Sequence, residues 1–120
     1  MGLTHVTVTV KNPANLESSW EGLFLVDTGA IDSLVPGNEL KSIGLIPEAR
    51  RTYELADGTE LVMDVGGARI EFMGDIVWTT VIFGPDDAEP ILGVTALESV
   101  GIAVDPKTQS LKRLPAVSLK

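Results

Sequence analysis

The sequence predicts a mainly β domain, a small barrel-like or sandwich-like fold with one late helix, and three observations carry that reading. The dominant apolar period is two, as in His5-Val-Thr-Val-Thr-Val-Lys11, which fits a strand covered on one face. Turn residues recur at hairpin spacing, at Asn12–Asn15, Asp57-Gly58, Gly66-Gly67 and Gly74-Asp75. Only one stretch, Thr95–Val100, carries helix signals at both ends. With 120 residues and no linker or repeat, the whole chain, 1–120, reads as one domain around one core.

Taken in order, Val6, Val8 and Val10 line one face of the first strand. Asn12-Pro-Ala-Asn15 turns the chain, and Trp20–Val26 forms a second strand. Its run Leu23-Phe-Leu-Val26 predicts burial on both faces. Pro36-Gly37 breaks the chain, and Glu39–Gly44 supports one or two helical turns with Gly44 as the stop. Tyr53–Ala56 and Thr59–Val65 flank Asp57-Gly58, a dipeptide suited to a type I′ turn because both central residues need positive φ. Gly66-Gly67 predicts another turn. Strands Ala68–Phe72 and Ile76–Phe83 follow, then a loop to Pro90 and a brief strand Ile91-Leu-Gly93. Thr95 and Glu98 fit a capping box and Gly101 a helix stop. Ile102–Val104 and Ser110–Leu114 close the chain as a hairpin around Asp105-Pro-Lys-Thr.

Composition removes several function classes. There is no cysteine, so thiolate catalysis, disulfides and cysteine-ligated metal are out. The one histidine, His5, sits in an alternating strand and reads as a solvated side chain. Acidic residues number 17 against 9 basic ones, a net charge of −8, which argues against a nucleic-acid partner. No apolar run approaches the roughly 20 residues of a membrane helix, and the first residues lack the pattern of a signal peptide. The expectation is a cytoplasmic protein with no metal, no cofactor and no membrane association. Chemistry, where present, comes from carboxylates and hydroxyls.

One carboxylate is out of place. Leu23-Phe-Leu-Val-Asp27-Thr-Gly-Ala30 puts an aspartate at the end of an apolar strand. A lone ionised carboxylate in a dry core costs several kcal/mol. Asp27 therefore needs hydrogen-bond donors, or a place at the edge of a cleft. Thr28 and Gly29 suit both, a hydroxyl at the next position and then a residue whose N–H can approach closely.

These residues resemble the retropepsin-like aspartic proteases, the single-lobe, retroviral-type family. The matching pieces are the apolar run into Val26-Asp27-Thr28-Gly29-Ala30, then Ser33-Leu34-Val35, the hairpin Ala56-Asp57-Gly58-Thr59, the triplet Ile91-Leu92-Gly93, and the short helix Ala96–Val100. They extend in order from about Thr4 to Leu114. The resemblance implies a closed β-barrel acid-protease lobe that works as a homodimer on an extended peptide or unfolded protein. It implies that Asp27 of each chain forms the catalytic dyad. Thr28 would bond across the two-fold axis, and Gly29 would donate its N–H to the carboxylate. Ala30 and the flap residues Ala56, Asp57, Gly58 and Thr59 would contact substrate. Ile91, Leu92 and Gly93 would support the active-site loop.

Physical need agrees with the dimer. Two carboxylates about 3 Å apart share one proton, which supplies an acid and a base at once. Asp27 is the only aspartate followed by Thr-Gly or Ser-Gly, so the second carboxylate must come from a second chain through an isologous interface.

Two departures stand out. Retroviral members carry an acid two residues after the glycine and an arginine after the second glycine; here those positions are Ile31 and Val94, an exchange that predicts an apolar contact between them. The flap tip carries Asp57 and Glu60, which predicts a preference for basic or neutral peptides over acidic ones. Two other readings keep the same residues: a non-catalytic dimerisation or peptide-binding module on this fold, and a plain β domain in which the tripeptide is incidental.

Overall fold

The first two strands form a hairpin, and a computed structural model describes it within residues 4–117 and 119. β1 (His5–Asn12) pairs antiparallel with β2 (Asn15–Val26). The Asn12 side chain accepts the Ala14 N–H at 2.9 Å to hold the turn. β2 starts five residues before the predicted strand, because Leu16-Glu-Ser-Ser shows no alternation to mark it. Phe24 is fully buried, but Leu23 is 59% exposed. Burial on both faces was expected near the end of this run; there Leu25 and Val26 are half-buried, and Leu23 before them is exposed.

After β3 (Ser33–Pro36) comes helix α1 (Gly37–Ser42). It ends in a Schellman motif: the Gly44 N–H bonds Lys41 O at 3.0 Å and the Leu45 N–H bonds Leu40 O at 3.0 Å. Gly44 sits at φ +88°, the left-handed position for which the sequence supplied a glycine. β4 (Ala49–Glu54) and β5 (Glu60–Phe72) make the long hairpin, and β6 (Asp75–Gly84) returns along β5.

β5 overturns one expectation. Gly66-Gly67 is no turn; the strand runs straight through it for 13 residues. A Cβ on Gly66 would lie 3.1 Å from Ile46 O and 3.2 Å from the Phe83 ring. The glycine therefore makes room for the crossing segment 46–48, whose Glu48 bonds Val65 O and the Gly67 N–H. The type I′ turn lies elsewhere, between β5 and β6, where Met73 (φ 51°) and Gly74 (φ 80°) both have positive φ.

Then come β7 (Ile91–Leu92), α2 (Val94–Ser99), β8 (Ile102–Asp105) and β9 (Ser110–Arg113). The main sheet has the order β1-β2-β7-β3-β6-β5-β4, and β5 also pairs with β1. β1, β2, β7, β3, β6 and β5 thus close into a ring, with β4 appended outside it. Val8, Val10, Phe24, Leu40, Ile70 and Leu92 fill the interior with no exposed surface. β8 and β9 form the predicted closing hairpin. It is tied to the start of the described chain by the Thr4 hydroxyl, which bonds Gln109 O.

The sequence anticipated one clear helix; among the described residues there are two, each of six residues. Thr95 is not the N-cap of α2. Gly93 holds that position without a side-chain bond. The helix's first N–H groups go instead to loop carbonyls, Val94 to Ala30 O at 2.8 Å and Thr95 to Ile31 O at 3.2 Å. No helix among the described residues is long and apolar enough to cross a membrane.

Candidate active site

β7 determines where Asp27 points. It lies between β2, to which it is parallel (Leu25↔Ile91, Val26↔Leu92), and β3, to which it is antiparallel (Leu34↔Ile91). The loop that joins β2 to β3 therefore emerges on either side of β7, and its backbone bonds are made there. The Asp27 N–H bonds Leu92 O at 3.1 Å, and the Ala30 N–H bonds Asp27 O at 3.1 Å. The Val94 bond to Ala30 O fastens the far end. The loop that carries Asp27 is thus tied to the 91–95 segment at both Asp27 and Ala30.

Asp27 is half-buried at the tip of this loop. Its Oδ1 accepts the Gly29 N–H at 2.9 Å. Both solutions expected for a carboxylate at a strand end are used together: a nearby donor, and a position at the edge of a cleft. Thr28 is exposed and turns to the opposite side, into a second groove of about 490 Å³ shared with Val94 and Leu97.

The cleft in front of Asp27 measures about 720 Å³. Its floor is Asp27, Gly29, Ala30 and Asp32, and its roof comes from the β4–β5 hairpin through Tyr53, Leu55, Ala56 and Leu61. Of the residues expected to touch substrate, Ala30 and Ala56 line this cleft. Asp57, Gly58 and Thr59 lie beyond it at the exposed hairpin tip.

The tip is built differently from the expectation. The Gly58 N–H bonds Leu55 O at 2.9 Å and the Leu55 N–H bonds Thr59 O at 2.7 Å. Gly58 alone has positive φ, +88°. This is a three-residue loop ending in a left-handed glycine, not a two-residue type I′ turn. The Asp57 carboxylate accepts the Thr59 N–H at 2.9 Å, and that bond holds its pKa below the usual 3.8. A depressed carboxylate stabilises the folded turn above its unfolded pKa, and the effect is lost as pH falls through the folded pKa. The Thr59 amide resonance is accordingly expected to titrate with a midpoint below 3.8.

Of the expected supports, Leu92 is fully buried and Ile91 half-buried. Gly93 is the most constrained: a Cβ there would meet Ile31 O and Asp32 C at 2.7 Å. Its N–H bonds the Ser33 Oγ at 3.0 Å, and Ser33 is 2% exposed. The chain backbones at Ile31 and Val94 are adjacent, but their side chains line different cavities. Ile31, 68% exposed, borders the Asp27 cleft, and Val94 borders the Thr28 groove.

Four residues that the sequence did not mark as functional belong to this site. Ser33 fixes Gly93. Asp32, on the cleft floor, accepts the Tyr53 hydroxyl at 2.7 Å, and Arg51 stands 3.5 Å from the same oxygen. The signal for Ser33 was present, a single hydroxyl inside a short apolar strand. His5 is exposed and faces Glu89 at 3.3 Å, away from the cleft. Among the described residues no three His, Cys, Asp or Glu side chains gather into a metal-binding group. No protein-family model matches the chain, and no curated protein matches it.

Proposed function

We propose that this protein is an aspartic endopeptidase of the retropepsin-like kind, a homodimer whose two Asp27 carboxylates hydrolyse an extended peptide. The observation that carries the reading is Asp27 itself: half-buried, held by the Gly29 N–H, and presented to a cleft of about 720 Å³ under a hairpin. Within one chain Asp27 has no free catalytic partner on the cleft floor, because Asp32 is engaged by Tyr53 and Arg51. The second carboxylate is supplied by the twin chain through the exposed Thr28 side of the loop.

In the dimer one Asp27 is ionised and the other protonated. The ionised one takes a proton from a water as its oxygen adds to the peptide carbonyl, and the protonated one gives its proton to the carbonyl oxygen. Collapse of the tetrahedral adduct breaks the C–N bond: the carboxyl that took the water proton gives it to the leaving amine, and the other, now ionised, takes a proton from a hydroxyl of the adduct, which restores the starting pair. The β4–β5 hairpin provides an extended edge for backbone hydrogen bonds to substrate. With Asp57 and Glu60 exposed at and near its tip, basic or neutral peptides are favoured over acidic ones.

The test is cleavage of an unfolded protein at pH 3–7 over a range of enzyme concentrations, with the solution mass measured alongside. Specific activity is expected to rise with concentration as a particle of twice the 12.7 kDa chain mass forms. A dimer that cleaves nothing would favour the non-catalytic binding module. A monomer at all concentrations would remove the dyad.

A further inference from the structure

Two residues of β4, Arg51 and Tyr53, are spaced by two and so project from the same face of the strand, and Tyr53 lines the cleft. Both reach Asp32. The Tyr53 hydroxyl donates to Asp32 Oδ2 at 2.7 Å, and Arg51 Nη1 lies 3.5 Å from that oxygen. The Asp32 side chain is only 11% exposed, so these donors replace the water its carboxylate has lost. The floor end of the bridge is rigid. Asp32 directly precedes the buried Ser33 that bonds Gly93, and its own backbone is the wall against which Gly93 packs. The roof end lies just before Leu55, where the hairpin's bonds become purely local, Leu55 with Thr59 and Gly58 with Leu55.

We propose that the Tyr53–Asp32 hydrogen bond, backed by Arg51, pins the base of the β4–β5 hairpin to the cleft floor and confines its opening to the tip, residues 55–60. Tyr53 and Asp32 are then positioning residues: they set how far the roof lifts, and they close one end of the cleft. The environment of the phenol fits this role. Burial first, then the bond to and charge of Asp32, push the Tyr53 pKa up to about 12. The pin itself does not depend on catalysis; only its kinetic consequence rests on the peptidase reading above.

The test uses the full chain with Tyr53→Phe, which keeps the ring and deletes the bond, and Asp32→Asn, which keeps the size and deletes the charge. Amides of residues 52–61 are expected to exchange about tenfold faster in Tyr53→Phe, the scale of a charge-assisted hydrogen bond. Amides of β1 and β6 should exchange as in the wild type. Tyr53 is the only tyrosine, so its phenolate absorbance reports the site directly. In Asp32→Asn its titration should fall from about 12 toward the ordinary 10.0. With a peptide substrate, Tyr53→Phe should raise KM by about tenfold and leave kcat within about twofold.

Unchanged exchange at 52–61 would overturn the proposal, as would a loss of protection spread evenly over β1 and β6, since that marks general destabilisation. A fall in kcat with KM unchanged would overturn it too. If the wild type cleaves nothing, the peptidase reading fails alone, and the exchange measurement still decides the pin.

Discussion

Asp27→Asn is expected to fold and dimerise like the wild type and to lose about 10³-fold or more in cleavage rate, the scale of general acid–base catalysis. Asparagine keeps an oxygen where Asp27 Oδ1 accepts the Gly29 N–H at 2.9 Å. It also leaves untouched the backbone bonds to Leu92 and from Ala30. What it removes is the ability to hold or release a proton. In the proposed dimer, where each site would take one carboxylate from each chain, the variant should also poison the wild type. Adding an equal amount of variant to wild type under exchanging conditions leaves about half of the original active pairs under random assortment. A peptidase assay of the mixture reads that halving. Simple dilution without loss would show that each chain works alone and would defeat the shared site.

Gly93→Ala is expected to cost about 2–3 kcal/mol of stability, typical of overpacking against a surface that cannot relax. The backbone at Gly93 is extended, φ −85° and ψ 168°, which alanine adopts freely. The obstacle is space. A methyl group would meet Ile31 O and Asp32 C at 2.7 Å and Asp32 O at 2.8 Å. All three are backbone atoms of the loop that carries Asp27, so the variant should lose activity beyond what its stability loss explains. Ser33→Ala separates the two effects. It leaves the buried Gly93 N–H without its 3.0 Å partner at a cost of about 1–2 kcal/mol, and adds no bulk. Denaturant unfolding and cleavage assays on both variants check the pair. Equal activity in folded Gly93→Ala and wild type would show that the loop's aim tolerates the shift.

Much of this architecture is written in local sequence. The alternation at 5–11, the strand at 76–83 and the closing hairpin each carry their own signal, and Gly44 and Gly101 mark helix ends because both need positive φ. Asp27 was legible as an anomaly, a charge where the pattern required an apolar residue. What local reading missed is non-local. Gly66 is needed by segment 46–48 and not by its own strand. The first N–H groups of α2 are satisfied by Ala30 and Ile31, so the Thr95 capping signal went unused. Asp32 lacks a following Thr-Gly and gave no sign of its bond to Tyr53, 21 residues away. Only the three-dimensional chain brings a strand residue of the hairpin onto the cleft floor.

The placement of β7 has a consequence for how the chain matures. Ile91 and Leu92 wedge between strands made far earlier in synthesis, and their carbonyls and amides supply the bonds that orient Asp27. Until that late dipeptide leaves the ribosome and docks, the aspartate loop has no fixed aim. Such distant pairings are slow to form. Under the proposed function, a nascent chain that has not yet docked residues 91–95 would be catalytically silent by topology.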